Sequence, residues 1–238
     1  MAFYRFPNES DAYRARRDEL LEMEKALRTQ VDAVAAKRRE LPLGGRLKED
    51  YRFERLAADG RVEQVAFEEL FGEHPTLLLY TMMFGPDWDA PCPSCTSLVD
   101  AFNANHHPVS QHCAMAVVGA ARPSQLHDWS KRRGWKIPLV SAGEGTYILD
   151  YFAREDASDP AFVSMMNSFR KTPEGIFHTW GSELVGHPKE NGHPSHVDAV
   201  WPFWNLLDMT PEGRGETAVP SQNFEHAYFT EHVYPGDH

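Results

Sequence analysis

At 238 residues, 42% hydrophobic and 12% aromatic, the chain is long enough to bury a substantial core within one elaborated domain. Its formal net charge of −11 argues against generic binding to nucleic acid or to an anionic membrane, because both would be repelled at long range. No apolar run is long enough to cross a bilayer, and the opening MAFYRFPNESDAYRARRDELL holds no hydrophobic signal region, so a cytoplasmic protein is expected.

In chain order, residues 10–39 read as one long helix, with Ser10 as N-cap and Pro42, Gly44 and Gly45 as the stop. Tyr13, Leu20, Leu27, Val34 and Leu41 recur every seven residues, and Met23 and Val31 widen the stripe. The charges between them alternate in sign, as on a solvated face laced by i, i+4 pairs. YRFERLAADGRVEQVAFEELFG predicts a hairpin turning at Asp59-Gly60, then a short helical turn over residues 67–71. TLLLYTMMF has the continuous apolar character of a central strand buried on both faces. A helix running to about residue 105 follows FGPDWDAPCPSC. HCAMAVVGAA reads as a second buried strand, PSQLHDWSKRRG as a helix and KIPLVS as a short strand. FVSMMNSFRKTPEGIFHTW predicts a hairpin turning at residues 172–175, and SHVDAVWPFWNLLD a terminal helix. From residue 214 onward turn formers outnumber periodic apolar positions. The organisation expected is a helical arm (1–48), an α/β domain with a mixed sheet and helices on both faces (49–213), and an irregular tail (214–238).

Three cysteines do not make a disulfide framework in a chain of this size, and in a reducing compartment a close pair points to redox chemistry or metal binding. Cys92 and Cys95 stand where a buried strand gives way to a helix, the edge at which open α/β sheets present their sites. A thiol in the first helical turn meets unpaired backbone N–H groups and the positive end of the helix dipole, so its thiolate is favoured. An ordinary thiol with a pKa of about 8.5 is a few per cent ionised at neutral pH, whereas one shifted to about 7 is half ionised. With two residues between them, Cys95 can resolve a mixed disulfide formed on Cys92. Pro93 fits the first turn, where its missing N–H costs nothing.

Two other readings of the pair stay open: small buried hydrophobes, or half of a zinc site completed by His106, His107, His112 or Cys113. His187, His193 and His196 lie in a Gly/Pro-rich stretch that reads as a surface loop or a metal site. Trp180, Trp201, Phe203 and Trp204 read as core, as dimer interface or as a cofactor pocket. Arg214 falls in a turn, exposed or facing the active edge.

VAFEELFGEHPTLLLYTMMFGPDW, CPSC, AVVGAARPSQLHDWSKRRGWKIPLVS and the late hairpin resemble the thioredoxin-like fold in its AhpC/TlpA-like elaboration. FGPDWDAPCPSC, RRGWKIPLVS, EGIFHTW and LLDMTPEGRGE resemble, more closely, the DUF899 family of thioredoxin-like, predicted dithiol–disulfide oxidoreductases. The resemblance implies a thioredoxin-like fold and supports catalytic roles for Cys92 and Cys95; no cofactor or metal is expected. Trp88 matches the tryptophan that thioredoxins carry four residues before the first cysteine. Pro91 replaces the tryptophan adjoining that cysteine, and Pro86 replaces the buried acid, with Asp87 and Asp89 nearby. Asp89 also stands where peroxiredoxins need Thr or Ser before the reactive cysteine, which disfavours their mechanism. Proline is missing from MMNSFRK, where thioredoxins place a cis-proline, and Met166, Asn167 and Ser168 are assigned the substrate-facing backbone.

The function expected is thiol–disulfide exchange with a protein or small-molecule thiol or disulfide. Cys92 attacks and Cys95 resolves, while Trp88, Asp89, Pro93, Ser94 and Ser168 shape the site. The alternative is a ligand-binding, metal-binding or interaction protein of the same fold without turnover. A homodimer is expected, because a long amphipathic arm needs a second surface to cover its stripe.

Overall fold

The computed structural model describes residues 5–151, 163–187 and 195–214, and its contacts divide the chain into two units, Met1–Pro42 and Leu43–His238. The irregular tail expected after residue 214 lies outside the described residues.

The first unit is helix α1, Asp11–Glu40. Ser10 Oγ accepts from the Tyr13 backbone N–H at 3.1 Å, and Lys37, Arg38 and Arg39 in the last turn complement the negative end of the dipole. Arg16–Glu19, Lys25–Glu22 and Lys37–Glu40 are i, i+3 pairs on its surface. None of its residues is buried, and Leu27, Val31 and Met23 are 64%, 58% and 69% exposed.

The second unit is built on a seven-stranded sheet in the order β2-β1-β5-β4-β3-β6-β7. The strands are β1 (Arg52–Leu56), β2 (Val62–Ala66), β3 (Thr76–Thr81), β4 (Ala114–Gly119), β5 (Leu139–Ser141), β6 (Met165–Thr172) and β7 (Gly175–Gly181). β3, β4 and β5 run parallel, and β6 and β7 continue the sheet antiparallel. The crossovers are helices α2 (Pro93–Val109) and α3 (Pro123–Arg133). Both place their side chains in the same core, as right-handed connections stepping in one direction require. β4 and β3 parallel, β6 and β7 antiparallel, and the β3-to-α2 junction together make the thioredoxin-like arrangement.

TLLLYT is the central strand its composition predicts: Leu77 and Leu79 pack on one face and Tyr80 on the other, each at most 1% exposed. The β1–β2 hairpin turns where Asp59-Gly60 predicts, with Gly60 at φ 82°. It joins the sheet through Glu54 opposite Ser141. At the other edge, β7 is covered by residues 44–47: Gly44 N–H donates to His178 O and Leu47 N–H to Ile176 O, at 3.0 and 2.9 Å.

One core, with α2, α3 and α5 (Pro202–Leu207), holds Tyr80, Phe84, Leu98, Trp129, Trp201 and Trp204. The opposite core lies beneath the 3-10 turn Phe67–Phe71 and the short helix α4 (Tyr147–Asp150), around Phe53, Leu79, Tyr147 and Phe169.

Two elements differ from the sequence reading. α2 continues to Val109, because Pro108 falls in the last turn, where only one intrahelical bond is lost. The terminal helix is broken into a 3-10 turn, Asp198–Val200, and α5, because Pro202 holds Trp201 extended at φ −113°, ψ 96°. Among the described residues, no helix is long and apolar enough to cross a membrane.

Candidate functional site

The cysteine pair is held by the end of β3 and the start of α2. Past Thr81 the chain stays extended, with Met82 N–H donating to Val118 O at 2.8 Å, and then loops through residues 85–91. The loop returns so that Cys92 N–H donates to Met83 O at 2.9 Å. Cys92 is the N-cap of α2 and Pro93 its first residue, so the helix begins directly behind the first sulfur. All three cysteines are free thiols.

The two sulfurs meet different surroundings. Cys92 is half-buried and its pKa is lowered to about 6. The largest cause is the hydrogen bond from the Cys95 thiol. Burial opposes it, and the backbone N–H groups of Cys95 and Ser94 and the Ser94 hydroxyl add to it. Cys95 is 2% exposed, and burial pushes its thiol well up, with the neighbouring Cys92 adding to the rise. Two donors face Cys95 Sγ: Tyr80 Oη at 3.3 Å and the Met83 N–H at 3.4 Å. Tyr80 is wholly buried with its own pKa well raised, and the Ser164 hydroxyl lies beside it. Beyond Ser164, His196 Nε2 sits 2.8 Å from the Ser164 carbonyl oxygen.

Pro93 and Ser94 lie between the two cysteines, and the Ser94 N–H and hydroxyl face Cys92. Trp88 packs against the core that holds Cys95, and its carbonyl accepts from Gln125 Nε2 at 3.0 Å, tying the loop to the start of α3. Asp87, Asp89 and Pro86 are exposed on the loop, so the place of the thioredoxin acid is on the surface, and the polar group under Cys95 is Tyr80. Ser168 stands two residues beyond Met166 on β6, at the irregularity in the β6–β7 register, and its Oγ accepts from Thr179 Oγ1 at 3.0 Å. Met166 faces the thiol side and packs in the same core as Cys95, whereas Asn167 faces the opposite one. Tyr80 and Ser164 were not legible as site residues: a tyrosine in an apolar run and a serine before a strand carry no motif.

The remaining polar candidates are placed elsewhere. Trp201 and Trp204 are core, with Trp180 and Phe203 packed against them, and Trp201 Nε1 donates to Ser97 Oγ at 3.2 Å. Arg214 donates to Asp208 and Asp198 and lies 4.9 Å from the centre of the Trp204 ring. His193 falls outside the described residues, and His187 is exposed. Cys113 is half-buried, its pKa raised by burial. Among the described residues no group of three His, Cys, Asp or Glu side chains is placed to hold a metal ion.

Several solved structures resemble the chain. The reduced 2-Cys peroxiredoxin of Plasmodium vivax is 17% identical, with 57% of this chain and 81% of that one covered, at a TM-score of 0.41. The peroxidoxin BcpB of Mycobacterium tuberculosis is 12% identical, with 71% and 99% covered, at 0.42. The peroxiredoxin Q of Xanthomonas campestris is 16% identical, with 68% and 96% covered, at 0.44. At such scores no role is transferred from them to this chain. None of the curated proteins compared with it matches. The family model described as a bacterial protein of unknown function, DUF899, matches residues 4–230, and the chain belongs to that family.

Proposed function

We propose that Cys92 and Cys95 form a dithiol that exchanges with a protein or small-molecule disulfide. The reading rests on one arrangement: Cys92 is half-buried at the N-cap of α2 with its pKa lowered, and Cys95 behind it is 2% exposed, faced by Tyr80 Oη, with its pKa raised by burial. That is the division of labour between an attacking and a resolving cysteine.

Cys92 thiolate attacks one sulfur of the substrate disulfide, forming a mixed disulfide and releasing the first substrate thiolate, which takes up a proton. Cys95 loses its proton and attacks Cys92 Sγ, forming the Cys92–Cys95 disulfide and releasing the second substrate thiol. Two electrons pass from the protein to the substrate, and an external thiol reductant returns the pair to the dithiol. Trp88, Pro93 and Ser94 shape the approach to Cys92, with Asp89 exposed on the same loop. Tyr80 Oη, donating to Cys95, stabilises the second thiolate as it forms.

Reduction of insulin in the presence of dithiothreitol tests the proposal. The parent protein accelerates the reaction, Cys92→Ser does not, and Cys95→Ser accumulates a mixed disulfide visible by mass spectrometry. A Cys92→Ser variant as active as the parent would sink the reading. Oxidation of Cys92 by hydrogen peroxide faster than by any disulfide would replace it with thiol peroxidation.

α1 is read as the surface on which two copies of the chain associate, because its seven-residue apolar stripe is exposed along the helix.

A further inference from the structure

The two faces of β6 serve different places. Met166 turns to the core that contains Cys95, whereas Met165 and Phe169 turn to the other core and Asn167 to His178. On that second face lies a cavity of about 540 Å³, within the size range of small-molecule sites. Neither cysteine is among its lining residues.

Its walls are aromatic. Tyr51 and Tyr151 meet edge to face with ring centres 5.9 Å apart, and the His178 ring lies 5.5 Å from that of Tyr151. Met165 and Val185 add apolar surface. His178 Nε2 is 2.9 Å from Asn167 Oδ1, and burial lowers the His178 pKa, so the ring is neutral at pH 7. The approach of these two side chains requires Gly181, where a Cβ would come within 3.1 Å of Asn167 Oδ1.

Two features are unexplained by the fold alone. Asn167 is 1% exposed and faces the buried Tyr147 Oη together with Thr81; these two side chains oppose the rise that burial imposes on the Tyr147 pKa, yet Asn167 Nδ2, Tyr147 Oη and Thr81 Oγ1 reach no partner at ordinary hydrogen-bond geometry among the described residues. At the other extreme is Arg46, exposed and lining the cavity, with no carboxylate partner among the described residues. Its guanidinium lies over Gly175, where a Cβ would be 2.7 Å from Nε. The second cation, Lys48, is engaged by Asp150, which also accepts from Tyr51 Oη at 2.9 Å. Glu183, the remaining charge on the lining, stands beyond the far end of β7 and acts on His178.

We propose that this cavity binds a planar aromatic acid. Its rings pack against the aromatic wall formed by Tyr51, Tyr151 and His178, and its anionic group pairs with Arg46. EGIFHTW, which supplies His178, then belongs to a second site and not to the cysteine pair.

Titration of the full chain with 2-naphthoate by isothermal calorimetry tests the assignment. The expected result is saturable one-to-one binding, weakened about fivefold by Arg46→Gln, an exposed position where refolding is not at issue. The neutral isostere 2-naphthamide binds weaker than 2-naphthoate by a similar factor. Val185→Trp, which fills the cavity from a half-buried position, abolishes binding, and Glu183→Gln does not weaken it. Cys92→Ser binds as the parent does, so loss of exchange activity and loss of this site are told apart. No saturable heat up to millimolar 2-naphthoate, or equal affinity of the parent and Arg46→Gln, would overturn the proposal.

Discussion

Cys92 and Cys95 share one turn of α2, yet their surroundings push their acidities in opposite directions. Cys92 ionises near 6 in the folded chain, well below an ordinary thiol at about 8.5. Its alkylation by iodoacetamide should therefore rise through about pH 6 and level off by neutrality; a rise centred above pH 8 would contradict the assignment. The same shift governs stability. Below about pH 6 the thiol is protonated whether folded or not and contributes nothing. Between about 6 and 9 the folded chain binds fewer protons than the unfolded one, so the reduced protein gains stability as pH rises. Cys95, raised in the folded state, acts with the opposite sign above the ordinary thiol value, so its contribution falls there. Urea denaturation under reducing conditions should show the rise in the parent protein and lose it in Cys92→Ser. Tyr80→Phe removes the hydroxyl that donates to Cys95. One hydrogen bond to a developing thiolate is worth about 1.5 kcal/mol, so resolution of the mixed disulfide should slow about tenfold. Iodoacetamide labelling of Cys92 should be unchanged, which separates Tyr80 as a positioning residue from a general loss of structure.

At the scale of elements, the junction depends on how α2 is anchored. Asp100 on α2 accepts from Arg133 at the end of α3 and from Trp135 Nε1 at 2.7 Å, and the Arg133 side chain is 4% exposed. Asp100→Ala would leave a buried guanidinium without its carboxylate, a loss of about 3 kcal/mol measurable as a lower urea midpoint. Surface pairs along α1, such as Arg16–Glu19, should each cost less than about 1 kcal/mol when broken. Element type was legible wherever local chemistry decides it: Ser10 caps α1, Gly134 takes the left-handed conformation past α3 at φ 63°, and Asp59-Gly60 turns a hairpin. Boundaries set by one residue's competing demands were less legible. Pro108 is tolerated inside the last turn of α2, whereas Pro202 breaks its helix in two, and the difference lies in position along each helix.

For the whole molecule, the exposed stripe of α1 predicts a dimer in solution. Light scattering of Leu20→Glu/Leu27→Glu should fall toward the monomer mass of 27.1 kDa, and the same mass for the parent at micromolar concentration would remove the dimer. The sheet separates the cysteines on one face from the aromatic cavity on the other. The sequence by itself determined the strand-to-helix setting of Cys92 and Cys95, because a continuous apolar run, a proline in the first turn and the spacing of the thiols are local facts. It also determined a mixed sheet covered on two faces, because alternating buried strands and crossover helices admit few topologies, and the resemblance of its motifs implied the thioredoxin-like order. Only the tertiary structure decided that Tyr80 lies under Cys95, that Asp89 stays at the surface and that Ser168 bonds to Thr179. It alone gathered Arg46, Tyr51, Tyr151, Asn167 and His178 around one cavity. Those groups come from separate stretches of chain, and their meeting depends on sheet register and on which face each side chain takes, which no local pattern encodes.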